Sequence, residues 1–188
     1  MQAALNRELI SVDEYLTGEE ASGIKHEYIN GTVYAMAGGT KEHNQIAGNI
    51  YSALLHRLRG RPCKAFILDI KVRLDTLGEP VFYYPDVVVG CDPRDTHRLY
   101  LRYPRVLVEV SSESTERLDR REKRLAYQTI ETLEDYLIAS QDRREVTIFR
   151  RSNDWAAEVL ERLDQTVTLK SIDLSLPLSS IYEGVILG

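Results

Sequence analysis

The chain has 188 residues and a mass of 21.5 kDa, with 43% hydrophobic and 28% charged residues, which excludes disordered, collagen-like and coiled-coil classes and leads us to expect one domain over residues 1–188. A chain of this length buries enough surface to fold without disulfide or metal staples. Its 24 basic and 29 acidic side chains leave a net charge of −5, which counts against a histone-like or ribosomal binder but leaves room for a local basic patch.

From the N-terminus, Ser11 to Glu20 reads as a short helix, with Ser11 as cap and Glu14 three residues on, as in a capping box. Asn30-Gly31 lies between two β-prone runs, the pattern of a two-residue hairpin turn. Alternation then places Glu27, Ile29, Thr32, Tyr34 and Met36 on one face. His43, Ile46, Ile50, Leu54 and Leu58 fall at helical spacing and predict an amphipathic helix from about Lys41 to Arg59, stopped by Gly60 and Pro62. The run from Cys63 to Asp75 alternates strictly and predicts one half-buried strand, with Asp69, Lys71 and Arg73 on its polar side and a turn at Gly78 to Pro80.

Two apolar strands follow, at 83–90 and 104–112, nearly apolar on both faces and therefore expected at the centre of a sheet. A helix is expected from Thr115 to Glu131, then strands near 135–140, 145–150, 155–162 and 166–169 and an apolar tail. The order is that of an α/β protein, a mixed β-sheet flanked by helices. Cys63 and Cys91 form no Cys-x-x-Cys pair, which excludes a zinc knuckle. The opening MQAALNRELI lacks the basic start and apolar stretch of a signal peptide, and no apolar run is long enough to span a membrane. The expectation is a cytoplasmic, non-membrane protein with reduced thiols.

Chemistry is concentrated in the two apolar strands. Asp86 sits in Tyr84-Pro85-Asp86-Val87-Val88-Val89, and Glu109 in Val106-Leu107-Val108-Glu109-Val110. A buried carboxylate costs several kcal/mol unless paired, protonated or metal-bound. Pro85 fits only a strand start or an edge, which puts Asp86 at a strand end beside a cleft. Two such acids offer oxygen ligands to a hard ion such as Mg²⁺. The alternative is that each accepts hydrogen bonds from a neighbouring Arg or loop amide. Asp119, Lys123, Ala126 and Ile130 form one helical stripe, which draws Lys123 toward the sheet. There it would stabilise a developing anion or orient a water. The alternative is a surface Asp119–Lys123 pair.

The set Tyr28-Ile29-Asn30-Gly31, His43, Tyr84-Pro85-Asp86-Val87-Val88-Val89, Leu107 to Thr115, Asp119, Lys123 and Tyr127, then Glu134-Asp135-Tyr136-Leu137-Ile138 resembles the Uma-two family of endonucleases. That family lies in the PD-(D/E)XK superfamily, and the similarity covers about residues 10–150. The resemblance implies a restriction-endonuclease-like fold and Mg²⁺-dependent (or Mn²⁺-dependent) hydrolysis of phosphodiester bonds, with nucleic acid, DNA first, as partner. It implies Asp86, Glu109 and the carbonyl of Val110 as metal ligands, Glu27 as a further ligand that completes the metal site, and Lys123 as the catalytic amine.

One departure stands out. The superfamily places Lys two residues after the second acid, where this chain has Ser111. Lys123 on the following helix is the replacement, with Lys71 a weaker substitute. The missing lysine and the acidic net charge also favour the alternative, a catalytically silent nucleic-acid- or protein-interaction module on the same fold. His43 reads more readily as a packed or capping histidine than as a general base, and Tyr127 as packing with its hydroxyl near the site. Basic runs at His56–Lys64 and Arg117–Arg124 suit phosphate tracking or solvated helix ends equally. A C₂ homodimer is common among enzymes that cut two strands. No phosphate loop, dinucleotide fingerprint or nucleophile elbow is present.

Overall fold

The computed structural model describes residues 9–112 and 122–187. Helix α1 (Val12–Ala21) starts at Ser11, whose hydroxyl accepts from the Glu14 amide while the Glu14 carboxylate accepts from the Ser11 amide, the expected capping box. Strands β1 (His26–Ile29) and β2 (Thr32–Ala35) form the hairpin. Its turn puts Asn30 at φ 49° and Gly31 at φ 84°, conformations that Asn and Gly reach at least cost. Helix α2 (Lys41–Leu58) is capped by Thr40 and ends where Gly60 turns to φ 74°.

The run from Cys63 to Asp75 is not one strand. It divides into β3 (Lys64–Ile67) and β4 (Lys71–Thr76), which lie in different sheets. Leu68 takes φ 62°, its amide donates to the Asp86 carbonyl at 2.8 Å, and the chain turns there. Alternation alone shows no such break, because the hydrophobic residues resume in phase after it. The expected 83–90 strand divides in the same way. Tyr83 ends β5 (Glu79–Tyr83) and Val87 starts β6 (Val87–Gly90), with Tyr84-Pro85-Asp86 crossing between sheets. The two-residue turn before β5 is Leu77-Gly78, so Pro80 belongs to that strand.

After β7 (Tyr100–Leu101) comes β8 (Pro104–Ser111), buried almost throughout. The helix expected to run to Glu131 ends earlier. Helix α3 (Arg124–Tyr127) ends at Tyr127 and gives way to turns, and the predicted start at Thr115 lies outside the described residues. Strands β9 (Asp135–Ser140), β10 (Val146–Arg150), β11 (Ala157–Leu160) and β12 (Thr166–Leu169) lie close to expectation. The apolar tail forms β13 (Leu174–Pro177) and α4 (Leu178–Ile181).

One sheet has the order β2-β1-β5-β4-β7, a second β11-β10-β9-β8-β6-β3, and β12-β13 form a ribbon. Both large sheets are mixed: β8–β9 and β4–β7 pair parallel within otherwise antiparallel ladders. The two apolar strands β6 and β8 lie inside the six-stranded sheet, as their two-sided hydrophobicity predicts. The layers follow from which face each residue takes. Ile46, Ile50, Leu54 and Leu58 of α2 pack on Val87, Val89, Val106, Val108 and Val110. The opposite face, with Val88, Leu107 and Ile138, packs on Val72, Val81 and Tyr83 of the five-stranded sheet. That sheet's outer face holds Tyr28 and Phe82 against Tyr15 of α1.

Cys63 and Cys91 are joined in a disulfide, which corrects the expectation of free thiols. The register pairs Lys64 with Gly90, so the residues one step outward meet across adjacent strands. Sequence spacing carries no trace of that register.

Burial has a consequence for alkaline stability. It pushes the phenols of Tyr15, Tyr84 and Tyr182 above the ordinary value of 10, that of Tyr182 to about 12, and Glu19 adds to the effect at Tyr15 and Tyr84. The folded chain therefore holds these protons more tightly than the unfolded chain. Their contribution to stability is fully present below pH 10 and is lost as pH rises through the folded values. We expect phenolate absorbance of these tyrosines to appear with loss of near-ultraviolet dichroism, not before it; full titration in the folded protein near pH 10 would contradict this.

Candidate active site

Four elements converge on one buried polar cluster. Tyr28 turns toward α1, so period-2 alternation turns its neighbour Glu27 toward the six-stranded sheet. On β8, Val108 and Val110 face α2, so Glu109 faces the other way, toward the five-stranded sheet. Lys123 and Tyr127 lie one helical turn apart and reach the same atom. Lys123 Nζ donates to Glu109 Oε1 at 3.2 Å, and the Tyr127 hydroxyl donates to that oxygen at 2.9 Å. Lys123 Nζ also lies 2.9 Å from Glu27 Oε1, an ion pair that is not aligned as a hydrogen bond, so this oxygen is buried without one. Glu109 is only 4% exposed and Lys123 6%. Lys123 is thus no surface residue, and Asp119 lies outside the described residues.

Asp86 enters from the crossing between the sheets, where Pro85 keeps it off the ladder. Its Oδ2 accepts from the Val110 amide at 2.6 Å, and Oδ1 lies 3.2 Å from His43 Nε2. In a strand both backbone groups of a residue face the same neighbour. The Val110 carbonyl therefore faces the Asp86 side together with its amide. Each acid accepts hydrogen bonds, but not from the Arg or loop amide of the alternative: Asp86 accepts from a strand amide, and Glu109 from Lys123 and Tyr127.

Aromatic rings wall the cluster. The Lys123 ammonium lies 5.4 Å from the Tyr83 ring centroid, and Tyr127 meets Tyr83 and Tyr136 edge to face. Burial, then the Glu27 charge, pushes the Tyr83 phenol up to about 12. Burial, then the Glu109 charge, pushes Tyr127 well above its ordinary value. Tyr127 is therefore a neutral donor to Glu109 throughout the physiological range. Replacing it with Phe deletes one donor to a buried carboxylate, with an expected loss of about 1.5–3 kcal/mol in urea unfolding. An unchanged unfolding midpoint would mean that this bond is not formed in solution.

The structure therefore brings Glu27, Glu109 and Lys123 into contact and sets Asp86 beside them through Val110. It separates Lys71 from them. Lys71 is buried against the Tyr84 ring at 5.1 Å, and burial holds its amine below the ordinary value. Its expected place on a solvated strand face fails because β4 begins there, with its chain neighbours turned by Leu68. His43 touches Asp86 rather than only packing; its place at the head of the α2 stripe was the signal. Tyr83 carries no sequence signal, because the strand break beside it is invisible. Of the basic runs, Arg57 pairs with Asp173, and residues 117–121 lie outside the described residues.

The donor atoms suit a hard divalent ion. Two carboxylates and a carbonyl offer only oxygen, and Glu27 Oε1 is a buried acceptor with no hydrogen bond. Among the described residues no three His, Cys, Asp or Glu side chains converge on one point. Mg²⁺ does not require that, because it keeps several waters and commonly takes one or two carboxylates.

Comparison with known proteins speaks to the family and the fold. A family model, Uma2, described as "Putative restriction endonuclease", matches residues 12–179. An uncharacterised protein of Synechocystis, slr1290, is 35% identical over 178 residues, 94% of this chain and 93% of that one. A second, sll1609, is 29% identical over 144 residues, 75% of this chain and 80% of that one. A crystal structure from Anabaena variabilis, titled as "a putative nuclease belonging to DUF820", superposes with a TM-score of 0.75 at 18% identity. It covers 94% of this chain and 99% of its own, and so shows the same mixed α/β fold. No helix among the described residues is long and apolar enough to cross a membrane.

Proposed function

The chain belongs to the Uma2 family, and from that premise we propose that it is a divalent-metal-dependent endonuclease that hydrolyses phosphodiester bonds in DNA. The observation that carries the reading is the buried Lys123 ammonium between Glu27 and Glu109, one residue from the Asp86–Val110 bond. Neutral packing alone gives no reason to bury two acids and a lysine beside a third, half-buried acid at such a desolvation cost.

Asp86, Glu109 and the Val110 carbonyl would hold Mg²⁺ or Mn²⁺, with Glu27, across the Lys123 ammonium, as a further acid of the site. When bound, the ion supplies Lewis-acid stabilisation of charge on the scissile phosphate. The chain's own residues do the rest. The Val110 amide and His43 fix the Asp86 carboxylate, and Tyr127 fixes Glu109. Lys123 directs its N–H groups at the charge that builds on the phosphate oxygens, in a site from which bulk water is excluded. The aromatic wall of Tyr83 and Tyr127 keeps the local dielectric low, so that this charge interaction is strong.

The test is incubation of the whole protein with supercoiled and linear DNA, with Mg²⁺, with Mn²⁺ and with chelator. Nicking or cutting that requires the metal and disappears in Asp86→Ala is expected. Cleavage that survives chelation, or that Asp86→Ala leaves undiminished, overturns the proposal. DNA retention without cleavage under any metal would favour the silent interaction module.

A further inference from the structure

A second polar site lies at the opposite end of β8. A groove of about 550 Å³ opens there, lined by Arg105 of β8, Glu134 and Asp135 at the start of β9, Arg150 at the end of β10, Glu158 of β11 and Lys170 after β12. Arg105 and Glu109 share a face of β8 four residues apart, about 13 Å along a strand. Buried Leu107 stands between them, so the groove is separate from the candidate active site.

The charges in this groove divide into a closed group and an open one. Arg150 is saturated: it pairs with Glu158, lies 3.5 Å from Asp135 and donates to the Thr168 carbonyl at 3.0 Å. Asp135 also accepts from the Ser171 hydroxyl at 2.8 Å. Arg105 and Lys170 form no ion pair among the described residues, and Nε of Arg105 is buried without a hydrogen-bond partner. Asp92, which feels the Arg105 charge, is already forked by Arg94. A buried donor left open in a folded protein calls for a partner. Two open cations ask for an anion, and the half-buried Glu134 offers an acceptor to hydroxyl groups.

The lining narrows the ligand further. Small-molecule pockets are usually walled by apolar and aromatic side chains. Every residue lining this groove is polar or charged, so a lipid chain finds no apolar or aromatic wall to lie against. We propose that the groove binds a sugar–phosphate unit, its phosphate on Arg105 and Lys170 and its hydroxyls on Glu134. The unit is either a free sugar phosphate or the phosphorylated end of a nucleic-acid strand.

The test is calorimetric titration of the full chain with ribose 5-phosphate, ribose, inorganic phosphate and a 5′-phosphorylated trinucleotide. Saturable binding of ribose 5-phosphate or the trinucleotide is expected, and the tighter of the two identifies the source. Affinity should fall at least about tenfold in Lys170→Met and in Arg105→Met, the loss of one charge-assisted contact. Lys170 is exposed, so its variant decides the matter should Arg105→Met fail to fold. Asp86→Ala should bind as the parent does, whatever becomes of cleavage, which separates this site from the proposed nuclease centre. Absence of binding by both sugar phosphates, equal binding by inorganic phosphate, or an unchanged Lys170→Met overturns the proposal. So does loss of binding in Asp86→Ala alone.

Discussion

Glu109→Ala should reduce metal-dependent DNA cleavage by at least roughly 10²–10³-fold, the scale of losing one fixed electrostatic group at a reacting phosphate. The same variant should lose the heat of Mn²⁺ binding, because one of the two carboxylates joined through β8 is gone. Its fold should survive. Lys123 keeps Glu27 at 2.9 Å as a counter-charge, so the deletion does not strand the ammonium. Tyr127 does lose its acceptor, which limits the stability cost to that of one unsatisfied buried hydroxyl, about 1–3 kcal/mol. Glu109→Gln separates the two effects: it keeps an acceptor for Tyr127 and removes the negative charge. Near-parental cleavage by both variants would remove Glu109 from the catalytic role.

Lys123→Met should have the opposite profile, with stability suffering along with activity. Methionine matches the stem of lysine but leaves Glu27 and Glu109 buried together without a cation. Breaking a buried pair from one side costs about 3–5 kcal/mol, so the urea midpoint should fall steeply in chelator. A divalent ion supplies the missing positive charge. We therefore expect Mg²⁺ to raise the stability of Lys123→Met by more than it raises that of the parent. Lys123→Arg should restore the charge but not the site, because a planar fork does not share one nitrogen between two carboxylates as an ammonium does. Equal metal response in parent and Lys123→Met would show that the ion does not enter between these acids.

Much of this centre is legible in the residues themselves. Asp86 and Glu109 stand out because each interrupts an apolar strand, and the price of burial singles them out before any contact is known. Lys123 stands out because it shares a stripe with Ala126 and Ile130, both of which are buried. Glu27 is placed by the Asn30-Gly31 turn, which fixes the hairpin register. What alternation hides is a change of sheet. Across Leu68 the apolar residues keep their period, and across Pro85 the apolar run is almost continuous, while the chain moves from one ladder to another. Two predicted strands therefore became four, and Tyr83 and Tyr84 went to opposite neighbours. Contacts between distant segments, such as His43 with Asp86 or Cys63 with Cys91, depend on that three-dimensional placement and have no local signature.

The Cys63–Cys91 bond closes a ring of chain that contains β4, β5 and Asp86. In the unfolded chain this ring removes conformations in which the two sheets' strands drift apart, a loop-closure effect of roughly 3–4 kcal/mol for its length. A reductant would return that freedom to the unfolded ensemble while leaving every ligand of the centre chemically intact. The bond that limits the unfolded chain and the reactive groups are thus held in different residues, and reduction is expected to lower stability without removing any group from the centre.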